Sequence, residues 1–269
     1  MVYPILSSQQ LREINQAIQD EKDYIELSFD LNYSGKKEKV MLFEKGIILK
    51  ENKIEIPEIK VKDKSCYLIL EDTLERTQYF SGNGIYKLIP TSFRPILQIS
   101  GTSMHKQAFV ERIESEKLQG KVLDSGTGLG YTAIAASETA KKVVTIEFDK
   151  MVCDIQKINP YSQKLFINEK IKLIQGDLTQ AIRNFQEKEF DSIVLDGGTP
   201  KSSGHFFSLE NYQQVFRILK NNSKLYHYVP NPHIHRGKDF AERIMRLLKK
   251  AGFSVLERNK EGSYLIAEK

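Results

Sequence analysis

From about residue 106 onward the chain alternates short apolar runs with longer polar stretches of helical periodicity, and this alternation restricts the fold more than any other feature. The apolar runs are Val122-Leu123, Val143 to Ile146, Ile171 to Ile174, Ser192 to Leu195 and Leu225 to Val229. Helical patterns fall at 106–117, Tyr131 to Ala140, Met151 to Ile158, Leu178 to Gln186, Leu209 to Lys220 and Lys238 to Ala251. Two further strands are expected at Phe253 to Glu257 and Tyr264 to Ala267. Strands that alternate with helices build a doubly wound, mainly parallel sheet with helices on both faces. The fold class is therefore α/β and Rossmann-like, and ligands are expected at the carboxyl ends of the strands.

The texture before residue 100 is different. A polar helix, about Ser8 to Asp20 with Ser7 or Ser8 as its N-cap, precedes short alternating runs. These are Tyr24 to Leu27, Lys39 to Phe43, Gly46 to Leu49, Lys53 to Ile56, Cys66 to Leu70 and Gly84 to Leu88, separated by turn residues such as Asn32-Tyr33-Ser34-Gly35. Such spacing predicts antiparallel sheet. The expected organisation is a small β-rich N-terminal domain over residues 1–100 and a catalytic domain over 101–269. There is no internal repeat.

The segment Lys121-Val-Leu-Asp-Ser-Gly-Thr-Gly-Leu-Gly-Tyr131 closes the first apolar run with Asp124 and opens the next helix with Gly126, Gly128 and Gly130. Glycines there permit a tight turn and close approach of a ligand to the backbone. A dinucleotide fingerprint, G-x-G-x-x-G, would need its third glycine at Tyr131, so that pattern fails. The spacing D-x-G-x-G-x-G instead resembles the first motif of class I S-adenosylmethionine-dependent methyltransferases. That resemblance implies S-adenosyl-L-methionine as the cofactor, bound by Asp124 and the three glycines. It extends to Glu147, 23 residues after Asp124, for the ribose hydroxyls, and to Phe148 for stacking on the adenine. Asp177 is expected to accept from the adenine amino group, with the Leu178 N–H at a ring nitrogen. A single acid at a strand end often only caps a helix, and Asp177 could do so. Four acids in order, each closing a predicted strand, exceed what turns require.

Three blocks extend the resemblance over nearly the whole chain: Ile99-Ser-Gly-Thr-Ser-Met-His-Lys106, Leu123 to Ala133, and Leu225-Tyr-His-Tyr-Val-Pro-Asn-Pro232. They resemble the predicted archaeal methyltransferases related to spermidine synthases. The implied activity is transfer of a methyl group to an unidentified acceptor. An alternative is a spermidine synthase-like aminopropyltransferase that uses decarboxylated S-adenosylmethionine, and another is a non-catalytic module that only binds the donor. Aminopropyltransferases resemble one another in a D-x-x-D-P segment after the fourth strand, where this chain has Asp196-Gly-Gly-Thr199-Pro200. Losing the second acid removes a partner for a polyamine ammonium, so methyl transfer comes first at this stage. The N/D-P-P-Y/F tetrad of enzymes that methylate exocyclic or amide nitrogens is also missing. Asp196 is the candidate to orient or deprotonate the acceptor, with Tyr228 and His227 at the end of the fifth strand and His105 at the interdomain joint.

Charge and cysteines bound the setting. The net charge is +5, yet residues 201–269 carry 13 basic against 6 acidic side chains, while 1–100 carry 14 against 15 and 101–200 carry 13 against 14. Lys201, Arg236 and Lys238 follow strand ends, and a locally basic rim favours an anionic acceptor, nucleic acid included. Cys66 and Cys153 fit neither a disulfide framework nor a zinc cluster, and His233-x-His235 has no ligand-spaced acid or cysteine, so no metal is expected. No apolar run approaches a membrane span and the first residues lack a secretory pattern, so a cytoplasmic location is expected. The N-terminal domain is expected either to shape the acceptor pocket or to pair copies of the chain into a homo-oligomer.

Overall fold

The computed structural model describes residues 3–82, 84–104, 107–198, 205–230 and 239–269. It divides into two compact units. One comprises Met1–Met104 with Asp154–Tyr161, and the other His105–Cys153 with Ser162–Lys269.

The first unit contains small antiparallel sheets and the helix Ser8–Gln19. Ser7 caps this helix by a capping box. Its hydroxyl accepts from the Gln10 N–H, and the Gln10 side chain accepts from the Ser7 N–H at 2.9 Å. Leu11, Ile14 and Ala17 recur at helical spacing and are buried. Leu11 and Ile14 share a core with Leu27, Val40, Ile47 and Ile54 of the meander Tyr24–Leu27, Glu38–Phe43, Gly46–Leu49, Asn52–Glu55. The strands Thr73–Arg76, Gln78–Ser81 and Ile96–Ile99 carry weak alternation and were not foreseen. The segment Asp154–Tyr161 belongs here as well. The Tyr161 ring meets Tyr33 edge-on at 5.0 Å, and its hydroxyl donates to the Leu31 carbonyl at 3.3 Å.

The second unit contains the sheet that the alternation predicts. Numbered within this unit, its strands are β1 (Lys121–Ser125), β2 (Lys142–Glu147), β3 (Ile171–Gln175), β4 (Phe190–Leu195), β5 (Leu219–Tyr228), β6 (Ser254–Asn259) and β7 (Tyr264–Glu268). The helices are α1 (Gln107–Glu116), α2 (Tyr131–Ser137), α3 (Lys150–Ile158, which belongs to the first unit from Asp154 onward), α4 (Lys164–Ile167), α5 (Leu178–Ala181), α6 (Leu209–Ile218) and α7 (Phe240–Ala251). The strand order is β3-β2-β1-β4-β5-β7-β6. The first five are mutually parallel, and β7 inserts antiparallel between β5 and β6.

Successive strand residues serve opposite faces, as the pleat requires. Val122, Val143 and Val194 pack with Phe109 and Ile113 of α1 and with Ala133 and Ala136 of α2. Their neighbours Leu123, Val144 and Ile193 pack with Tyr212 and Val215 of α6 and with Ile244 and Leu248 of α7. Each such fully buried aliphatic side chain contributes about 1.5–3 kcal/mol of hydrophobic stabilisation. The order reverses beside β1, so β1 and β4 run in adjacent positions while their connections leave in opposite directions. That is where such sheets open a crevice.

Two local expectations change. The helix expected to reach Lys220 ends at Ile218, because Leu219 turns to extended backbone (φ −79°, ψ 140°) and begins β5. The polar run Lys220 to Lys224 is the exposed start of that strand, which hid its strand character. The helix expected over Leu178 to Gln186 is one turn of α-helix, followed by a 3-10 turn at Ile182–Asn184.

Candidate functional site

Asp124, Glu147 and Asp196 come together at the carboxyl ends of β1, β2 and β4. Hydrogen bonding along the sheet sets this arrangement. The Gly126 N–H donates to the Ile146 carbonyl at 3.0 Å, and the Asp196 N–H donates to the Ser125 carbonyl at 2.8 Å. Gly126 has φ +71°, and a Cβ there would lie 1.7 Å from the Asp196 carbonyl oxygen. Only glycine admits that backbone approach. Gly130 enters α2 at φ +85° with no side-chain cap.

The acids are held differently. Asp124 is fully buried, and both its oxygens are engaged. The Thr132 hydroxyl donates to one at 2.7 Å and the Thr145 hydroxyl to the other at 2.6 Å, with Thr127 a further 2.6 Å from Thr145. Asp124 thus braces the loop from below. Burial pushes its carboxyl up to about 6, against the two threonine hydrogen bonds. Glu147 accepts from the Gly128 N–H and from the Asp149 N–H, each at 2.9 Å, so one carboxylate ties the glycine loop to the turn after β2. Burial raises it to about 7, although those N–H groups favour its charge. Asp196 is half-buried and accepts from the Gly198 N–H at 3.1 Å. Burial, reinforced by the charges of Asp124 and Glu147, pushes it up to about 7. Among the described residues no Lys or Arg forms an ion pair with any of the three.

Phe148 follows Glu147 with its ring 70% exposed, free to receive a planar group. Asp177 N-caps α5, one oxygen accepting from the Thr179 N–H and hydroxyl at 2.8 Å each. The Leu178 side chain lies in the core. The capping role foreseen for Asp177 is therefore realised, and what it offers a ligand is its second oxygen and the turn behind it. Tyr228 is half-buried with its ring 5.8 Å from Phe109. Burial, and then the charge of Asp196, push its phenol up to about 12, so it is a hydrogen-bond donor at neutral pH.

His227 differs from its expected place beside an acceptor. It is fully buried, with Nε2 2.8 Å from the Tyr212 hydroxyl and Nδ1 3.2 Å from the Leu195 carbonyl, and burial lowers it to about 4. His105, Lys201, His233, His235, Arg236 and Lys238 lie outside the described residues. Sequence reasoning missed the threonines that hold Asp124. A hydroxyl eight residues ahead on α2 and another on β2 leave no local signature.

These carboxylates gather beside a glycine turn at the switch point of the sheet, which is where sheets of this type take their ligands. The spermine/spermidine synthase domain matches residues 117–258, more than half of the chain and nearly all of β1 to β6. The chain belongs to the spermine/spermidine synthase domain family. It is 36% identical over 266 residues to an uncharacterised protein of Methanocaldococcus jannaschii, covering 94% of this chain and 92% of the relative. It is 30% identical over 140 residues to the polyamine aminopropyltransferase of Alkaliphilus metalliredigens, about half of either chain (51% and 49%). The crystal structure of spermidine synthase from Thermotoga maritima superposes with a TM-score of 0.55 at 18% identity, over 71% of this chain and 70% of that one. At that identity the likeness is one of fold. The spermidine synthase domain accounts for the Rossmann-like sheet, and the chain is a transferase of the spermidine synthase-like type.

Proposed function

We propose that this chain transfers an aminopropyl group from decarboxylated S-adenosylmethionine to an amine. The observation that carries the reading is the set of carboxylates Asp124, Glu147 and Asp196, gathered without a paired cation among the described residues. Removing a donor's carboxylate leaves both its sulfonium and its ammonium uncompensated, which suits Glu147 and Asp196, with Asp124 buried beneath the loop, better than the parent S-adenosylmethionine does. Family membership and the aminopropyltransferase relative support the same donor, ahead of the methyl transfer that the glycine loop suggested first.

The residues divide the work. Glu147 holds the ribose hydroxyls, Phe148 covers one face of the adenine, and Asp177 with the Leu178 N–H meets its edge. Gly126, Gly128 and Gly130 leave room for the donor against the backbone, while Asp124 keeps the loop in shape. The donor supplies a carbon activated by sulfonium, whose sulfur departs as a neutral thioether. Asp196 takes the proton that the acceptor nitrogen loses. A carboxyl raised to about 7 is partly ionised at neutral pH and basic enough to accept it. Tyr228 donates a hydrogen bond to orient the acceptor or Asp196 itself.

One observation favours a second reading. Thr199 stands where a second acid would hold a polyamine ammonium, and the excess of basic residues after 200 suits an anionic acceptor. Methyl transfer from S-adenosylmethionine then replaces aminopropyl transfer at the same site. Thermal stabilisation with each donor, followed by identification of the released thioether, separates the two. Larger stabilisation by the decarboxylated donor and release of methylthioadenosine are expected. A preference for S-adenosylmethionine with release of its demethylated product would replace this reading by the second. Asp196→Asn is expected to lower kcat by about 10²–10⁴-fold, and unchanged turnover would remove Asp196 from the base role.

A further inference from the structure

The side of the sheet behind Asp196 contains a polar pair that neither donor nor acceptor requires. Tyr212 on α6 and His227 on β5 are fully buried in a cluster otherwise built of Leu, Ile, Val, Ala and Phe side chains. Burying an imidazole and a phenol there costs desolvation that an apolar pair of the same shape would avoid. The hydrogen bonds explain the retention. The Leu195 carbonyl can only accept, so His227 Nδ1 carries the proton and donates to it at 3.2 Å. A neutral ring then leaves Nε2 as an acceptor, and the Tyr212 hydroxyl donates to it at 2.8 Å. Burial opposes the charged form of His227 and holds the Tyr212 phenol protonated, so neither group titrates near neutrality.

The end of this relay is the last residue of β4, directly before Asp196. The same corner is gripped at other points. The Asp196 N–H is bonded to Ser125 of β1, and the Phe206 ring fills the space over Gly197, where a Cβ would come within 2.2 Å of it. Phe206 is held by Asn211, whose side-chain amide donates to the Phe206 carbonyl at 2.8 Å, and Phe207 stacks on the His227 ring at 5.9 Å. The β1 side therefore supplies a backbone grip and the β5 side an imidazole grip.

We propose that His227, oriented by Tyr212, is a positioning residue for Asp196: it clamps the Leu195 carbonyl and thereby fixes the carboxylate against the acceptor. The proposal rests on the reading of Asp196 as the proton acceptor. The clamp is neutral, so it holds Asp196 equally well across the working pH range. Displacing a reacting group by about 1 Å costs on the order of 10²-fold in rate, which leaves room for a large effect from a residue that touches no substrate.

Asparagine and glutamine divide the two functions of the imidazole. In His227→Asn the amide nitrogen stands near the Nδ1 position and keeps a donor to Leu195. In His227→Gln it stands near Nε2, keeps a group against Tyr212 and loses the donor. The measurements are kcat, KM, donor affinity and the pH midpoint of kcat, with the titration of the Asp196 carboxyl followed by carbon-13 NMR. His227→Gln is expected to lower kcat by roughly 10–100-fold with KM and donor affinity nearly unchanged, and to move the Asp196 midpoint. His227→Asn is expected to retain kcat within about threefold and the wild-type midpoint. Tyr212→Phe, which removes one oxygen and keeps the ring, is expected to fall between them. Equal losses in Asn and Gln, or losses that follow melting temperature alone across the three variants, would overturn the proposal. If the wild-type chain transfers neither an aminopropyl nor a methyl group, the reading of Asp196 as base fails. The carboxyl titration then still decides the clamp: an Asp196 midpoint that is the same in wild type, His227→Gln and Tyr212→Phe overturns it.

Discussion

Two groups of shielded carboxylates lie on the second unit, and they behave in opposite ways. In one, Arg112 of α1 reaches Glu116 at 2.7 Å, Glu257 of β6 at 2.9 Å and the Tyr264 hydroxyl at 3.1 Å, while the Tyr226 hydroxyl donates to Glu116 at 2.6 Å. Burial works against the Glu116 charge, but hydrogen bonds from Tyr226 and Arg112 outweigh it and hold its carboxyl below the usual range. In the other, Asp124, Glu147 and Asp196 receive only neutral donors and are raised. The first group satisfies its charges internally and fastens α1 to the sheet. The second has no cationic partner among the described residues, and the proposed function gives that place to a cationic donor. The contrast separates acids paired with a cation from acids held only by hydroxyls and backbone N–H groups.

The largest expected effect tests whether the raised acids depend on the backbone beneath them. Gly126→Ala adds a methyl group at a positive φ and against the Asp196 carbonyl. It is expected to cost about 2–4 kcal/mol of stability by urea unfolding and to abolish donor binding by calorimetry. Wild-type donor affinity in that variant would break the link between the loop and the carboxylates. Next in size is Arg112→Met, which strips the cation from the paired group. A loss of about 1–3 kcal/mol is expected, partly relieved by solvent, with donor affinity unchanged. A fall in donor affinity would mean that the two groups are not independent.

The smallest effect concerns pH and has opposite signs in the two groups. The Asp196 carboxyl is raised from 3.8 to about 7, so its contribution to stability is fully present below about 4 and is lost as pH rises through 7. Glu116 is lowered, so its contribution is present above the ordinary glutamate range and is lost as pH falls through its folded value. Without donor, Asp196→Asn is therefore expected to melt about 2–4 °C above wild type at pH 8 and level with it at pH 4. Differential scanning fluorimetry across that range reads the difference. A variant no more stable than wild type at pH 8 would show that the Asp196 charge is not penalised.

Legibility followed the range of the interaction. The helix Ser8–Gln19 and its cap were readable because Ser7 and Gln10 are three residues apart and every partner is local. Glu147 and Asp196 were readable because an apolar run stops at a polar residue where a strand leaves the core. The strands Thr73–Arg76 and Gln78–Ser81 were not, since their residues are mostly exposed and their pairing partners supply the order. His227 was misplaced for a related reason. The alternation put it on a strand, but which face was polar depended on Tyr212 of α6 and on Phe207 in the turn before that helix.

The sequence by itself determined the strand–helix alternation, the glycine turn and the acids that close the strands, because these depend on backbone preference and periodicity over a few residues. Tertiary structure decided the insertion of β7 between β5 and β6, the threonine brace under Asp124, and the division of acids into those paired with a cation and those held by neutral donors. Each of these is a pairing between residues distant in the chain. Its energy depends on which neighbours share the buried space, and that is a property of the packed sheet rather than of any segment within it.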